Sequence, residues 1–204
     1  MEIHKPDHTQ KRGIYARSVK ARRKDIATGN EMAAFLDTHN GSFGEQYGRA
    51  FALAHAQVTD STAPVRMFVV NEDFVQEPND ERFFFPHRVI LNAKILQAPK
   101  TIPQTVPRRE HYKDESGKMR SKFVAKLKDM SNVIHVEEAC MSFPNRKPKQ
   151  MWRYYRIKVQ YQYPVTLFGT TFLWTKREWV RGLKAHIFQH EVDHFDAINI
   201  YYDY

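Results

Sequence analysis

The stretch of this chain best equipped for chemistry is His190-Glu191-Val192-Asp193-His194. On a helix, histidines four residues apart share one face, so both imidazoles can reach a single metal ion. A glutamate directly after the first can then face a metal-bound water and take its proton. The flanking residues read as a real helix. Thr175 with Glu178 has the spacing of a capping box ahead of it. Leu183, Ile187, His190, His194 and Ala197 then recur at helical spacing. A histidine pair on a solvent face would be inert. A pair sharing its stripe with apolar residues is expected to face inward.

A catalytic metal of this kind needs three protein ligands and one open position. Downstream the chain offers only Asp196 and Asp203 as acids, and Ile200 stands where a metzincin would place its third histidine. The third ligand is therefore expected upstream, where the single cysteine, Cys140, stands in Glu138-Ala139-Cys140-Met141-Ser142-Phe143-Pro144. With one cysteine no disulfide can form within the chain, which fits a reducing compartment. A thiolate with two imidazoles suits Zn²⁺ or Fe²⁺ far better than Mg²⁺ or Ca²⁺.

At these residues the chain resembles a known family. Glu138-Ala139-Cys140-Met141-Ser142 is similar to the Glu-Gly-Cys-Leu-Ser motif of peptide deformylases, and Gln189-His190-Glu191-Val192-Asp193-His194 to their Gln-His-Glu-x-Asp-His motif. Ala50-Phe51-Ala52-Leu53-Ala54-His55-Ala56-Gln57 resembles their Gly-x-Gly-Leu-Ala-Ala-x-Gln. The three occur in the family's order. The resemblance implies a metal held by Cys140, His190 and His194, with Glu191 as general acid and base. It also implies an oxyanion held by the Gln57 side-chain amide and the Met141 backbone N–H. The implied cofactor is one divalent ion, Fe²⁺ as the physiological metal, with Zn²⁺ or Ni²⁺ also able to occupy a thiolate–imidazole site. The implied substrate is an N-formylmethionyl peptide, cleaved to formate and a free amino terminus. Ala52, Leu53, Phe143, Leu183 and Ile187 flank the motifs and are candidates for substrate contact and for the apolar slot of the methionine side chain.

The departures from the family pattern fall on small residues. Ala50, Ala52 and Ala139 stand where the family has glycine, and His55 replaces an alanine. Each adds bulk near the expected substrate path. Two other functions would use the same residues. One is a different metal-dependent amidohydrolase or peptidase. The other is a catalytically inactive, ribosome-associated relative.

The 204 residues, 42% hydrophobic, suffice for one domain with a substantial core. No apolar run approaches the length of a membrane span, and no secretory segment follows Met1. The expectation is a cytoplasmic protein. Its ending soon after the motif helix resembles bacteriophage deformylases, which lack the further C-terminal helix of cellular bacterial ones; that implies a bacterial host's cytoplasm. The formal charge of +9 gathers in two places. One is a basic N-terminal arm, residues 1–27, with Lys20, Arg22, Arg23 and Lys24. The other is a polar insertion at about residues 98–131, with Arg108, Arg109, Arg120, Lys122 and Lys126. Such blocks suit ribosomal RNA, whose phosphates Lys and Arg neutralise.

Residues 28–204 read as one catalytic domain of α+β class. The resemblance implies the deformylase arrangement, antiparallel and mixed sheets packed around a central C-terminal helix carrying the two histidines. A capping box at Thr28 and Glu31 opens a short helix through Phe35-Leu36. A second, at Ser42 and Glu45, opens a helix carrying Tyr47, Phe51, Ala54 and Gln57. Strands are expected at Arg66–Val70, Phe83–Phe85, Arg88–Leu96, Val133–Glu137, Tyr154–Tyr161 and Thr166–Trp174, the last broken by Gly169.

Overall fold

The computed structural model describes residues 1–3, 11–38, 50–71, 85–98 and 132–201, and the backbone alone of 108–113 and 119–124. In chain order the elements are α1 (Ile26–Thr38), β1 (Ala52–Ala54), β2 (Met67–Val70), β3 (Val89–Gln97), β4 (Arg108–Lys113), β5 (Met119–Val124), β6 (Val133–Glu138), β7 (Lys149–Tyr154), β8 (Arg156–Leu167), β9 (Thr170–Arg181) and α2 (Gly182–Phe195). Five strands form one antiparallel sheet in the order β1-β2-β3-β8-β9. β6 and β7 form a separate hairpin, and β4 pairs with β5 inside the expected insertion. The expected helix start at Ser42 and Glu45, Tyr47, Phe83 and Phe84, and the insertion's side chains lie outside the described residues.

Strand alternation divides the core in two. Ala54, Phe68, Ile90, Ile157, Val159 and Tyr161 face α2, where Phe188, Val192 and Phe195 close on them. Leu53, Met67, Val69, Val89 and Leu91 face the other way and meet Met32 and Leu36 of α1. α1 approaches so closely that a Cβ on Gly29 would sit 2.6 Å from Val89 Cγ1. Removing a ring such as Phe188 from this interior would cost about 3–5 kcal/mol.

Several sequence expectations are corrected. Residues 52–57 are not α-helical: Ala52–Ala54 pairs with β2, and His55–Gln57 is a single 3₁₀ turn. Edge pairing satisfies this backbone, overriding the apolar spacing read as a helix. Thr175 and Glu178 lie within β9, and α2 begins at Gly182, whose φ of 60° suits glycine. Glu178 instead accepts from the Tyr161 hydroxyl and Lys184. Thr28 lies inside α1, which is entered through the 3₁₀ turn Arg23–Asp25, where Asp25 accepts from the Arg22 N–H. The break at Gly169 is the two-residue turn of a hairpin, with Phe168 and Gly169 at φ 49° and 74°. The boundary drawn between residues 27 and 28 falls within α1, and Ile14, Ala16 and Ala21 of the expected arm are buried. Asn92, at a β3 irregularity with φ 53°, both accepts from the Ala21 N–H and donates to its carbonyl, tying that segment to the sheet.

Candidate metal centre

β6 carries the chain to Glu138 and releases it through Ala139 to Cys140, where a tight turn brings the Phe143 N–H onto the Cys140 carbonyl. β7 returns antiparallel with Arg153. α2 lies across the mouth of this hairpin. Gln189 fixes the two together, accepting from the Tyr154 N–H and donating to its carbonyl, both at 2.9 Å. One turn of α2 then sets the His190 and His194 rings edge to face, 4.9 Å apart.

Cys140 Sγ and one nitrogen each of His190 and His194 lie within 4.8 Å of one another. Sγ is 3.5 Å from His194 Nε2. Cys140 and His194 are buried at 4% and 1% exposure, and His190 is partly buried. Burial works against a thiolate, yet the two imidazoles pull the Cys140 thiol down to about 5. Burial likewise works against a charged His190, while Cys140 and Glu138 raise it well above its usual value. Anionic sulfur beside two imidazoles is the donor set of a transition metal, and a cation there takes the place of a proton.

Glu138 organises the cluster from behind. Its Oε2 is 2.8 Å from His190 Nδ1, which leaves Nε2 for the cluster. Oε1 is 2.8 Å from His186 Nε2. Arg153 spans the same carboxylate through Nε and Nη2, and its Nη1 reaches Asp193 Oδ2 at 2.6 Å. Burial would raise the Glu138 carboxyl, but the bonds from Arg153, His186 and His190 hold it well below the usual carboxylate range.

The polypeptide deformylase family model matches residues 15–204. The chain belongs to the polypeptide deformylase family. Deformylases are metal-dependent hydrolases that remove the N-formyl group from nascent peptides, and that is the activity of this chain. Known structures agree on the fold. The peptide deformylase of Thermotoga maritima is 20% identical, with a TM-score of 0.53 over 98% of this chain and 95% of that one. That of Ehrlichia chaffeensis is 18% identical at TM-score 0.58, covering 97% and 83%. The deformylase of Vibrio parahaemolyticus bacteriophage VP16T, solved in complex with actinonin, is 17% identical at TM-score 0.55, covering 98% and 100%. No curated protein matches the sequence.

In this deformylase a cavity of about 320 Å³ opens beside the cluster, lined by Ala52, Gln57, Met141, Phe143, Leu183 and Ile187 among others. Glu191 also lines it, 3% exposed, with Oε2 buried and without a hydrogen-bond partner among the described residues. Burial raises its carboxyl above the usual value. Gln57 is buried; its Oε1 accepts from the Ala54 N–H, aiming the amide nitrogen at Cys140 Sγ (3.6 Å) and Ser142 Oγ (3.3 Å). The expected site residues thus come together, with one exception. Leu53 points to the α1 side of the sheet and is absent from the cavity wall, because alternation along β1 sends it opposite to Ala52. His55 does not narrow the cleft either; its Nδ1 accepts from the Val65 N–H. Sequence reasoning gave no role to Glu138, Arg153, His186 or Asp193. Glu138 and Asp193 lay inside the motifs, so the signal was present; Arg153 and His186 carried none.

Proposed function

We propose that this deformylase acts on N-formylmethionyl peptides, with Cys140, His190 and His194 holding one divalent ion. Fe²⁺ is the proposed physiological ion, and Zn²⁺ and Ni²⁺ are ions that the same donors accept. Such an ion, when bound, is a Lewis acid that lowers the pKa of water. Glu191 takes a proton from the attacking water and delivers it to the departing nitrogen as the C–N bond breaks and formate leaves. The Gln57 amide nitrogen and the Met141 backbone N–H donate to the oxyanion of the tetrahedral intermediate. Phe143, Leu183 and Ile187, with Ala52 beside them, receive the methionine side chain. The observation that supports this reading is the convergence of the Cys140–His190–His194 cluster and the unpartnered Glu191 carboxylate on one cavity. No helix among the described residues is long and apolar enough to cross a membrane, and we place the enzyme in the cytoplasm, that of a bacterial host if a phage encodes it. There Lys20, Arg22, Arg23 and Lys24 of the basic arm would meet ribosomal RNA. The deciding experiment is anaerobic purification with metal analysis, followed by formate release from formyl-Met-Ala-Ser, formyl-Ala-Ala-Ser and the unblocked peptide. Rapid release from the first alone is expected; cleavage of the unblocked peptide would make the protein a peptidase.

A further inference from the structure

Among the described residues, half of the sheet is bare on one side. α2 covers one face of β3, β8 and β9, while α1 covers the other over β1, β2 and β3, with Leu173 of β9 at the edge of that cluster. On the uncovered side of β8 and β9 lie Arg156, Lys158 and Gln160, paired across the hairpin with Arg181, Trp179 and Arg177. Lys94 of β3 continues the row opposite Gln160. Their neighbours Ile157, Val159 and Val180 point into the core, so strand alternation fixes the cations outward. The three strands contain one acid, Glu178, and it lies on the other face, bound to Tyr161 and Lys184. The turn Arg23–Asp25 abuts β9, and exposed Arg22, Arg23 and Lys24 extend the same charge along the rim. Within this field stands Trp179, 41% exposed, with the Arg156 guanidinium 4.7 Å from its ring centroid.

We propose that this sheet face binds single-stranded RNA. An acid-free row of cations neutralises a phosphate backbone, and a planar indole beside a guanidinium offers bases a stacking platform. An acidic protein surface would use the charge and make no use of the exposed indole. The face is distinct from the metal cavity, so the proposal stands or falls independently of the deformylation chemistry.

The test is fluorescence anisotropy with a labelled RNA of about 12 nucleotides, within the span such sites cover, at about 0.15 M salt. Lys158→Glu/Arg177→Glu should weaken binding about tenfold or more. Lys11→Glu/Arg17→Glu makes the same change in net charge on either side of the 3₁₀ turn Gly13–Tyr15, which packs against α2. That variant should bind within about twofold of the parent. Trp179→Ala should weaken binding about fivefold or more, and Lys94→Ala, a mild surface change, should lower the salt slope by about one. Formate release from a short formyl peptide should be unchanged in all four variants, which reports that each is folded. Equal weakening by the two double variants overturns the proposal, as does full binding by Trp179→Ala. Displacement of the RNA by polyglutamate at equal charge concentration overturns it in favour of an acidic protein partner.

Discussion

Glu138 Oε2, at the end of β6, lies 2.8 Å from Nδ1 of His190 on α2. This bond joins two motifs more than fifty residues apart and fixes which ring nitrogen of His190 faces the cluster. Arg153 and His186 complete the carboxylate's partners, so a buried anion is held in one orientation.

Replacing that anion should loosen the metal without removing a ligand. Glu138→Gln is expected to lower metal affinity about 10-fold to 100-fold, the usual cost of losing the group behind a ligating histidine. Competition with a chromogenic chelator measures it. Affinity equal to that of the parent would show that Glu138 does not position His190.

Each proposed ligand should be separately necessary. Cys140→Ala, His190→Ala and His194→Ala are expected to be isolated with far less than one equivalent of metal, measured by elemental analysis. A fully loaded Cys140→Ala protein would rule out the thiolate as a ligand.

Glu191→Gln keeps the side chain's shape and removes its proton-accepting capacity. The variant should retain its metal and lose about 10²-fold to 10⁴-fold in kcat. Near-normal formate release from loaded protein would place the proton transfer elsewhere.

Gln57→Ala should lower kcat about 10-fold to 10³-fold with metal retained, as expected when an oxyanion donor is lost. An effect confined to KM would make Gln57 a ground-state contact instead.

In metal-stripped protein the Cys140 thiol should titrate near pH 5, because His194 and His190 favour the thiolate over the opposing effect of burial. The anion is therefore present above that pH and lost as pH falls through it. Thiolate absorbance in the ultraviolet should rise between about pH 4 and 6, and His190→Ala should move the rise upward. A parent titration in the ordinary thiol range of about 8.5 would contradict the arrangement.

Much of the chemistry was legible in the residues alone. Two histidines one helical turn apart with an adjacent glutamate have metal-site spacing whatever the fold, because the 3.6-residue period is a local property, while Cys140, far upstream, was joined to them by the motif resemblance. Strands β2, β3 and β6 were also readable from β-branched runs, which carry their own preference. Other features were set by distant partners. Ala52–Ala54 became a strand because β2 offered it an edge, and that pairing turned Leu53 away from the cavity and toward α1. Thr175 and Glu178 had the spacing of a helix cap, yet β8 drew them into its long hairpin with β9. Arg153 resembled any other basic residue until β6 and β7 paired and α2 brought Asp193 to its free nitrogen. The basic face of β8 and β9 had no signature either, since its cations are scattered in sequence and only pleat alternation puts them on one side. Sequence alone nominated Cys140, His190 and His194 as donors and Glu191 as the acid beside them. Tertiary packing decided which buried groups orient those atoms, and which surface is left for a partner, because both depend on contacts between segments far apart in the chain.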